Sequence, residues 1–361
     1  MNWQFPESDT DVTVIVPLGT TDSALIAPNV VVTSTQSSTV YGTGSGHQVE
    51  VYGTVANSSL GLAAITLGSS AVSCSGEFVH VEQGGFVVAD AGFGVLIHAS
   101  HSTVVNDGTI RSLAGIGVAL DGSDAAGHST LINHGTIEGI DAVDRETVFL
   151  PAETIVFKNY GLIKGESVAF GMYNNDETDP AKDLITNKGT MIGSISLYGG
   201  DDLYDGRGGK ETGTIDAGLG NDRVYGGEEA NAILGGDGDD TIMGGGGGDH
   251  LTGGTGADHF LYNTVSDSPM SDKGHDVIVD FSHAEHDRID LRAIDADTHQ
   301  AKNQAFDFIG SGAFSHAAGE LRFQQVSGET FVYADINGDG KADLEIELAG
   351  KTGLHAGDFM L

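Results

Sequence analysis

The chain has 361 residues of which 39% are hydrophobic, enough to bury two or three domain cores and too much for disorder throughout. Its 52 acidic residues against 16 basic ones leave a formal charge of −36, which repels nucleic acid and anionic membranes and argues against nucleic acid as a partner. Such self-repulsion opposes compaction unless cations neutralise it, and carboxylates with carbonyls are the ligands that hard Ca²⁺ takes.

The opening MNWQFPESDTDV has no basic n-region and no apolar h-region, and no stretch reaches the roughly 18 apolar residues of a membrane span. DVTVIV (11–16) reads as a capping strand at the open end of a β-stack. Cys74 is the one cysteine, so neither an intramolecular disulfide nor a cysteine-based zinc site is available.

From there to about residue 196 a long period governs the chain. VNDGTI, INHGTI, KNYGLI and TNKGTM place Gly108, Gly135, Gly161 and Gly189 at spacings of 27, 26 and 28, with weaker copies at Gly53 and Gly84. Between them GVLIHA, GIGVAL and SVAFGM read as short strands. A repeat of this length suits one rung of a right-handed parallel β-helix, and six rungs at the strand spacing make a stack of about 29 Å. The repeated Asn106, Asn133, Asn159 and Asn187 then stack at one corner, as a ladder that satisfies turn backbone groups rather than as a ligand comb. The cations of this segment are Arg111, Arg145, Lys158, Lys164, Lys182 and Lys188; no Tyr/His/Asp cluster stands out among its residues. MYNNDETDPAKD (172–183) is an acidic insertion between rungs, either solvated or a binding loop.

Beyond residue 196 the period shortens. YGGDDLYDGRGG places Asp201 and Leu203 in phase, but Lys210 takes the next aspartate place, so 197–216 is a degenerate approach to the repeats. AGLGNDRVY, GGEEANAIL, GGDGDDTIM, GGGGGDHLT and GGTGADHFL then run from 217 to 261 without a gap. Asp222, Asn231, Asp240, Asp249 and Asp258 recur every nine residues, with Val224, Ile233, Ile242, Leu251 and Phe260 two places later. A flexible linker has no reason to hold both columns in phase; the pattern is that of a calcium-binding parallel β-roll. The glycines Gly218, Gly220, Gly235, Gly236, Gly238, Gly244, Gly245, Gly247, Gly253, Gly254 and Gly256 belong to the turns of that roll, where only glycine tolerates the backbone cheaply. Alternate units stack, pairing Asp222 with Asp240, Asn231 with Asp249, and Asp240 with Asp258 around several Ca²⁺ ions; the second unit, with Glu229 and Asn231, makes a weaker site.

Beyond Tyr262 come HDVIVDFSHAEHDRIDLRAIDA, GAFSHAAGELRF, ADINGDGKADLEIEL and GDFML. DINGDGKAD offers Asp335, Asn337, Asp339 and Asp343 at the spacing that opens an EF-hand loop, but Ile346 stands where the bidentate Glu belongs; the segment is an extra calcium site or a tight turn between two strands.

This order of segments, over roughly 197–361, resembles the carboxyl-terminal domain of serralysin-type metalloproteases of the repeats-in-toxin (RTX) class. The resemblance implies a β-roll leading into a small β-sandwich-like region, and export from a Gram-negative cell to the outside by the type I secretion machinery. The uncleaved signal it implies matches Asp358, Phe359, Met360 and Leu361, an acid followed by three apolar residues. Protease activity is not expected, because the sequence holds no HExxH; His283-Ala-Glu-His286 has the wrong spacing, and His98 with His101 lacks a third ligand. The expectation is therefore an all-β protein with a β-helix over 1–196, a calcium-binding β-roll over 197–263 and a secretion domain over 264–361. Its role is a secreted, calcium-folded, non-catalytic passenger for surface, matrix or glycan association. The alternative is a small carbohydrate-active β-helix enzyme, a polysaccharide lyase or uronate epimerase.

Overall fold

The computed structural model describes residues 2–5, 16–20, 22–69, 74–122, 127–145, 153–172, 180–271 and 274–361. DVTVIV up to Ile15, and Tyr173–Asp179 of the acidic insertion, lie outside them. The described residues are all β apart from a 3₁₀ turn at Ala356–Asp358, and none of their helices is long and apolar enough to cross a membrane. The chain divides into two compact units, Met1–Leu203 and Tyr204–Leu361.

The first unit is a parallel β-helix with three faces. One face stacks Trp3–Gln4, Ser23–Ile26, Gln48–Val51, Phe78–Val81, Thr103–Asn106, His128–Asn133, Thr154–Asn159 and Leu184–Asn187, each parallel to the next. Two strands thus precede the six expected rungs. A second face carries an aliphatic ladder in strict register, Val55, Val87, Ile110, Ile137, Ile163 and Met191. All six are fully buried, each worth roughly 1.5–3 kcal/mol over leaving it exposed. The third face holds Gly92–His98 and Gly115–Leu120 with the later halves of the strands beginning at Thr136 and Leu162.

The Asn-x-Gly repeats are the corners between the first two faces. Asn106 Nδ2 donates to Asn133 Oδ1 at 2.7 Å, Asn133 to Asn159 at 2.8 Å and Asn159 to Asn187 at 2.8 Å. The amides also reach the carbonyls of Thr136, Leu162 and Thr190 at the starts of the next strands, so the corner pairs its buried amide groups with one another and with backbone, save the Oδ1 of Asn106 at the first of the four asparagines. The glycines serve close approach. A Cβ on Gly135 would lie 2.1 Å from the Gly108 carbonyl oxygen, and one on Gly161 the same distance from that of Gly135. The rung expected to turn at Gly84 brings Gly85 into this column instead, since Phe86 pairs with both Thr54 and Thr109.

The second unit is a two-faced roll. One face stacks Thr214–Leu219, Ala232–Asp237, His250–Thr255 and Asp276–Ile278, then Leu344–Leu348. The other stacks Arg223–Tyr225, Thr241–Met243, His259–Leu261, Arg288–Asp290 and Phe359–Met360. The apolar column of the repeats, Val224, Ile242 and Phe260, runs on through Ile289 to Phe359, all buried. Glu320–Val326, Glu329–Asp335 and Leu344–Leu348 add an antiparallel meander.

Candidate metal centre

Two columns of buried carboxylates rise along the roll. In the first, the Asp222 backbone N–H donates to Asp240 Oδ1 at 2.8 Å, that of Asp240 to Asp258 at 2.9 Å, and that of Asp258 to Asp287 at 3.1 Å. In the second, Asn231 N donates to Asp249 Oδ1 at 2.7 Å, and Asp249 N to Asp276 at 2.9 Å. The three expected pairs are neighbours. Asp276 and Asp287 are members that the nine-residue count misses, because an insertion separates them from the repeats.

Only one oxygen of each carboxylate is used this way. The Oδ2 atoms of Asp240, Asp249, Asp258 and Asp276 are buried and accept no hydrogen bond. A buried carboxylate oxygen with no donor is costly, and the cost appears in protonation. Burial, helped by the charges of neighbouring aspartates and opposed by the N–H bonds, pushes Asp240 up to about 8 and Asp258 up to about 6. Burial also drives up Asp249 and Asp276, whose mutual repulsion adds to it at Asp276. Without a cation Asp240, Asp249 and Asp276 therefore hold protons near neutral pH, whereas Asp258 gives up its proton below it.

The glycines fit this arrangement in two ways. Gly218, Gly220, Gly236, Gly238, Gly245, Gly247, Gly254 and Gly256 adopt φ between +99° and +131°, which an L side chain rarely takes. Gly235, Gly244 and Gly253 instead line the carboxylates: a Cβ there would stand 2.4, 2.0 and 2.2 Å from the partnerless oxygens of Asp240, Asp249 and Asp258. Buried oxygens without donors, beside a space that any side chain would fill, are what an oxygen-liganded cation needs.

Other expected site residues fall differently. Asp201 is exposed, and the aspartate whose Oδ1 accepts a ladder bond, from Asp183 N at 2.6 Å, is Asp202, two residues before buried Tyr204. Lys210 does not occupy an aspartate place; it points outward to Glu229 at 2.6 Å, while buried Glu211 accepts the Tyr204 hydroxyl at 2.8 Å. DINGDGKAD joins two antiparallel strands. There Asp335 accepts from the N–H groups of Asn337, Gly338 and Gly340, and Asp343 accepts from Asn337 Nδ2 and Ile336 N. Asp339 Oδ1 accepts from Lys341 N and is half exposed. These carboxylates are occupied by their own turn, unlike those of the roll. At the end of the chain Asp358 is buried, Phe359 packs on Phe308 with ring centroids 5.0 Å apart, Met360 accepts from Leu291 N, and Leu361 comes after the last strand.

The β-helix also brings together an aspartate, two histidines and a tyrosine that lie far apart in its sequence. The middle residues of successive Asn-x-Gly corners, Asp107, His134 and Tyr160, stand one above another. Asp107 Oδ1 meets His134 Nδ1 at 2.8 Å, Asp107 Oδ2 meets His80 Nε2 at 2.7 Å, and the His134 ring stacks on Tyr160 at 5.1 Å. The two imidazoles hold Asp107 below its ordinary range, His80 contributing most. On the adjoining face Glu138 lies between Arg111, at 3.2 Å, and Lys164, at 3.9 Å.

Residues 198–361 match the family Peptidase M10 serralysin C terminal. None of the curated proteins matches the chain. Among solved structures, the AlgE6R3 subunit of the Azotobacter vinelandii mannuronan C5-epimerase is 21% identical over 50% of this chain and 77% of its own, with a TM-score of 0.22. At that score the two do not superpose as wholes.

Proposed function

We propose, from the match of residues 198–361 to the serralysin C-terminal family, a calcium-binding protein of the RTX class that a Gram-negative cell exports by type I secretion and that folds outside. The observation that carries this is the set of donor-free buried oxygens on Asp240, Asp249, Asp258 and Asp276. Asp222 and Asn231 complete the two columns, the carbonyls of the glycine turns supply further oxygens, and Asp287 extends the first column. Asp358 to Leu361 close the roll and carry the export signal. A bound Ca²⁺ supplies the positive charge that lets these carboxylates ionise in place. The chain's own part is the all-oxygen donor set, the exclusion of water and the release of the protons that burial retains. Binding only to the folded state stabilises it by about 2.7 kcal/mol per site at a hundredfold excess over Kd, so the low calcium of a cytosol leaves the domain loose and the medium outside closes it.

The β-helix is then the passenger, a scaffold for association with a surface, matrix or glycan. The Asp107–His134–Tyr160 column with His80 supports a second reading, a carbohydrate-active enzyme, because a hydrogen-bonded His/Asp pair beside a phenol is acid–base machinery.

One experiment addresses both. Calcium titration of the full chain at pH 7 gives a cooperative gain of β-structure by circular dichroism. The calorimetric heat scales with the ionisation enthalpy of the buffer because protons leave Asp240, Asp249 and Asp276. A titration with no structural gain and no proton release refutes calcium folding. Incubating the calcium-loaded chain with alginate and pectin releases no unsaturated sugar if the β-helix is a passenger; release that His134→Ala abolishes establishes the enzyme.

A further inference from the structure

We propose that His283, His355 and Asp358 form a site for a transition-metal ion of the zinc class, separate from the oxygen-lined columns of the roll. His283 lies in the turn between the strands Asp276–Ile278 and Arg288–Asp290, a turn held by Ser282 N on Asp287 Oδ2 at 2.8 Å. His355 and Asp358 bracket the 3₁₀ turn Ala356–Asp358 that precedes the last strand. The fold thus brings together residues 72 and 75 positions apart. One nitrogen of each ring and one carboxylate oxygen all lie within 4.8 Å of one another.

The contacts are specific. Asp358 Oδ1 meets His283 Nδ1 at 2.7 Å, and Asp358 Oδ2 meets His355 Nδ1 at 3.0 Å while also accepting the His355 N–H at 2.7 Å. The two rings are 5.0 Å apart, and Phe281 stands edge-on to His283 at 5.6 Å. Asp358 is almost wholly buried, whereas the His283 and His355 side chains are 35% and 67% exposed. The carboxylate is thus a fixed base, and the rings have room to swing. Bonds of about 2.0–2.2 Å place tetrahedral donors about 3.4 Å apart, so the rings need open by less than about 1 Å to admit an ion.

The donors decide which ion. Two imidazoles with one carboxylate select Zn²⁺ or its neighbours in the first transition row and disfavour Ca²⁺, which takes oxygens alone. Three protein donors leave the fourth position on the exposed side to water or an outside ligand. Such an ion pins the last strand, Phe359–Met360, to the turn that leads into its neighbour Arg288–Asp290. It is a clasp on the carboxyl terminus with a chemistry different from that of the roll it closes.

The test uses the full chain saturated with Ca²⁺ and stripped of other metals, with Zn²⁺ titrated in competition with a chromogenic zinc chelator and Co²⁺ as a spectroscopic stand-in. The chain binds a single Zn²⁺ tightly and gives Co²⁺ bands of tetrahedral intensity. His283→Gln and His355→Gln each weaken Zn²⁺ by about a hundredfold or more, beyond what loss of an outer-shell partner costs. Both retain the calcium-dependent circular dichroism. His80→Gln, in the His80, Glu82 and Asp107 group of the β-helix, leaves Zn²⁺ binding unchanged. Failure to bind Zn²⁺, or binding lost in His80→Gln but kept in both other variants, overturns the proposal.

Discussion

Gly85→Ala lowers the stability of the β-helix by more than about 3 kcal/mol, whereas Gly84→Ala, one residue earlier, costs only about 1–2 kcal/mol. A Cβ on Gly85 meets the Val51 carbonyl oxygen at 2.1 Å, and neither partner is a side chain that can turn away. To relieve the clash two rungs must separate, which loosens the aliphatic ladder and the corner hydrogen bonds together. Gly84 has φ +86° and nothing within 4 Å, so its substitution meets only the strain of a left-handed backbone. Urea denaturation of the two variants in calcium, followed by hydrogen exchange in peptides from 22–203, separates the effects. Equal losses, or a loss below about 1 kcal/mol for Gly85→Ala, refute stacking of backbone on backbone as the reason for the repeat.

Asp240→Asn makes the metal-free roll more stable at pH 8 and weakens its calcium response by about a hundredfold. An aspartate raised from 3.8 when unfolded to about 8 when folded binds more protons in the native state. Its contribution is therefore fully present below about pH 4 and is lost as the pH rises through 8. The metal-free wild-type roll is thus more stable at pH 5 than at pH 8, while its calcium affinity runs the other way, rising with pH as carboxylates ionise. An amide keeps the acceptor for the Asp222 N–H and removes the charge, and Asn231 already occupies the equivalent place in the second column. The variant flattens the metal-free pH profile measured by thermal unfolding between pH 5 and 8. If it destabilises the metal-free chain at pH 8 and leaves calcium affinity unchanged, Asp240 is a structural hydrogen-bond acceptor and not a ligand.

The two periods were legible because each rung contributes the same residue to the same corner. Spacing of nine became a register of eighteen, and spacing near 27 became a ladder of asparagines. Asp276 and Asp287 escaped because the column resumes after an insertion, at separations of 27 and 29 residues. Their signal was present nonetheless: Asp276-Val-Ile278 and Asp287-Arg-Ile289 repeat the aspartate with an apolar residue two places on. The same pair, Asp202-Leu-Tyr204, would have moved the first aspartate off Asp201. The His80, Asp107, His134 and Tyr160 array was harder to see, because those residues lie one to a rung and adjacency along the chain carries none of their geometry. His283, His355 and Asp358 are further apart still.

The ladders of both units share one polarity. Each buried acceptor holds a donor from the rung before it: Glu77 holds the His47 N–H, Asp183 that of Ile155, Asp240 that of Asp222, and Asp287 that of Asp258. The asparagines obey the same direction. Damage therefore depends on which residue is lost. Loss of one carboxylate orphans the backbone donor on its amino-terminal side and leaves its own N–H bond to the next rung standing, whereas loss of a middle asparagine, which accepts from one rung and donates to the next, parts the ladder on both sides.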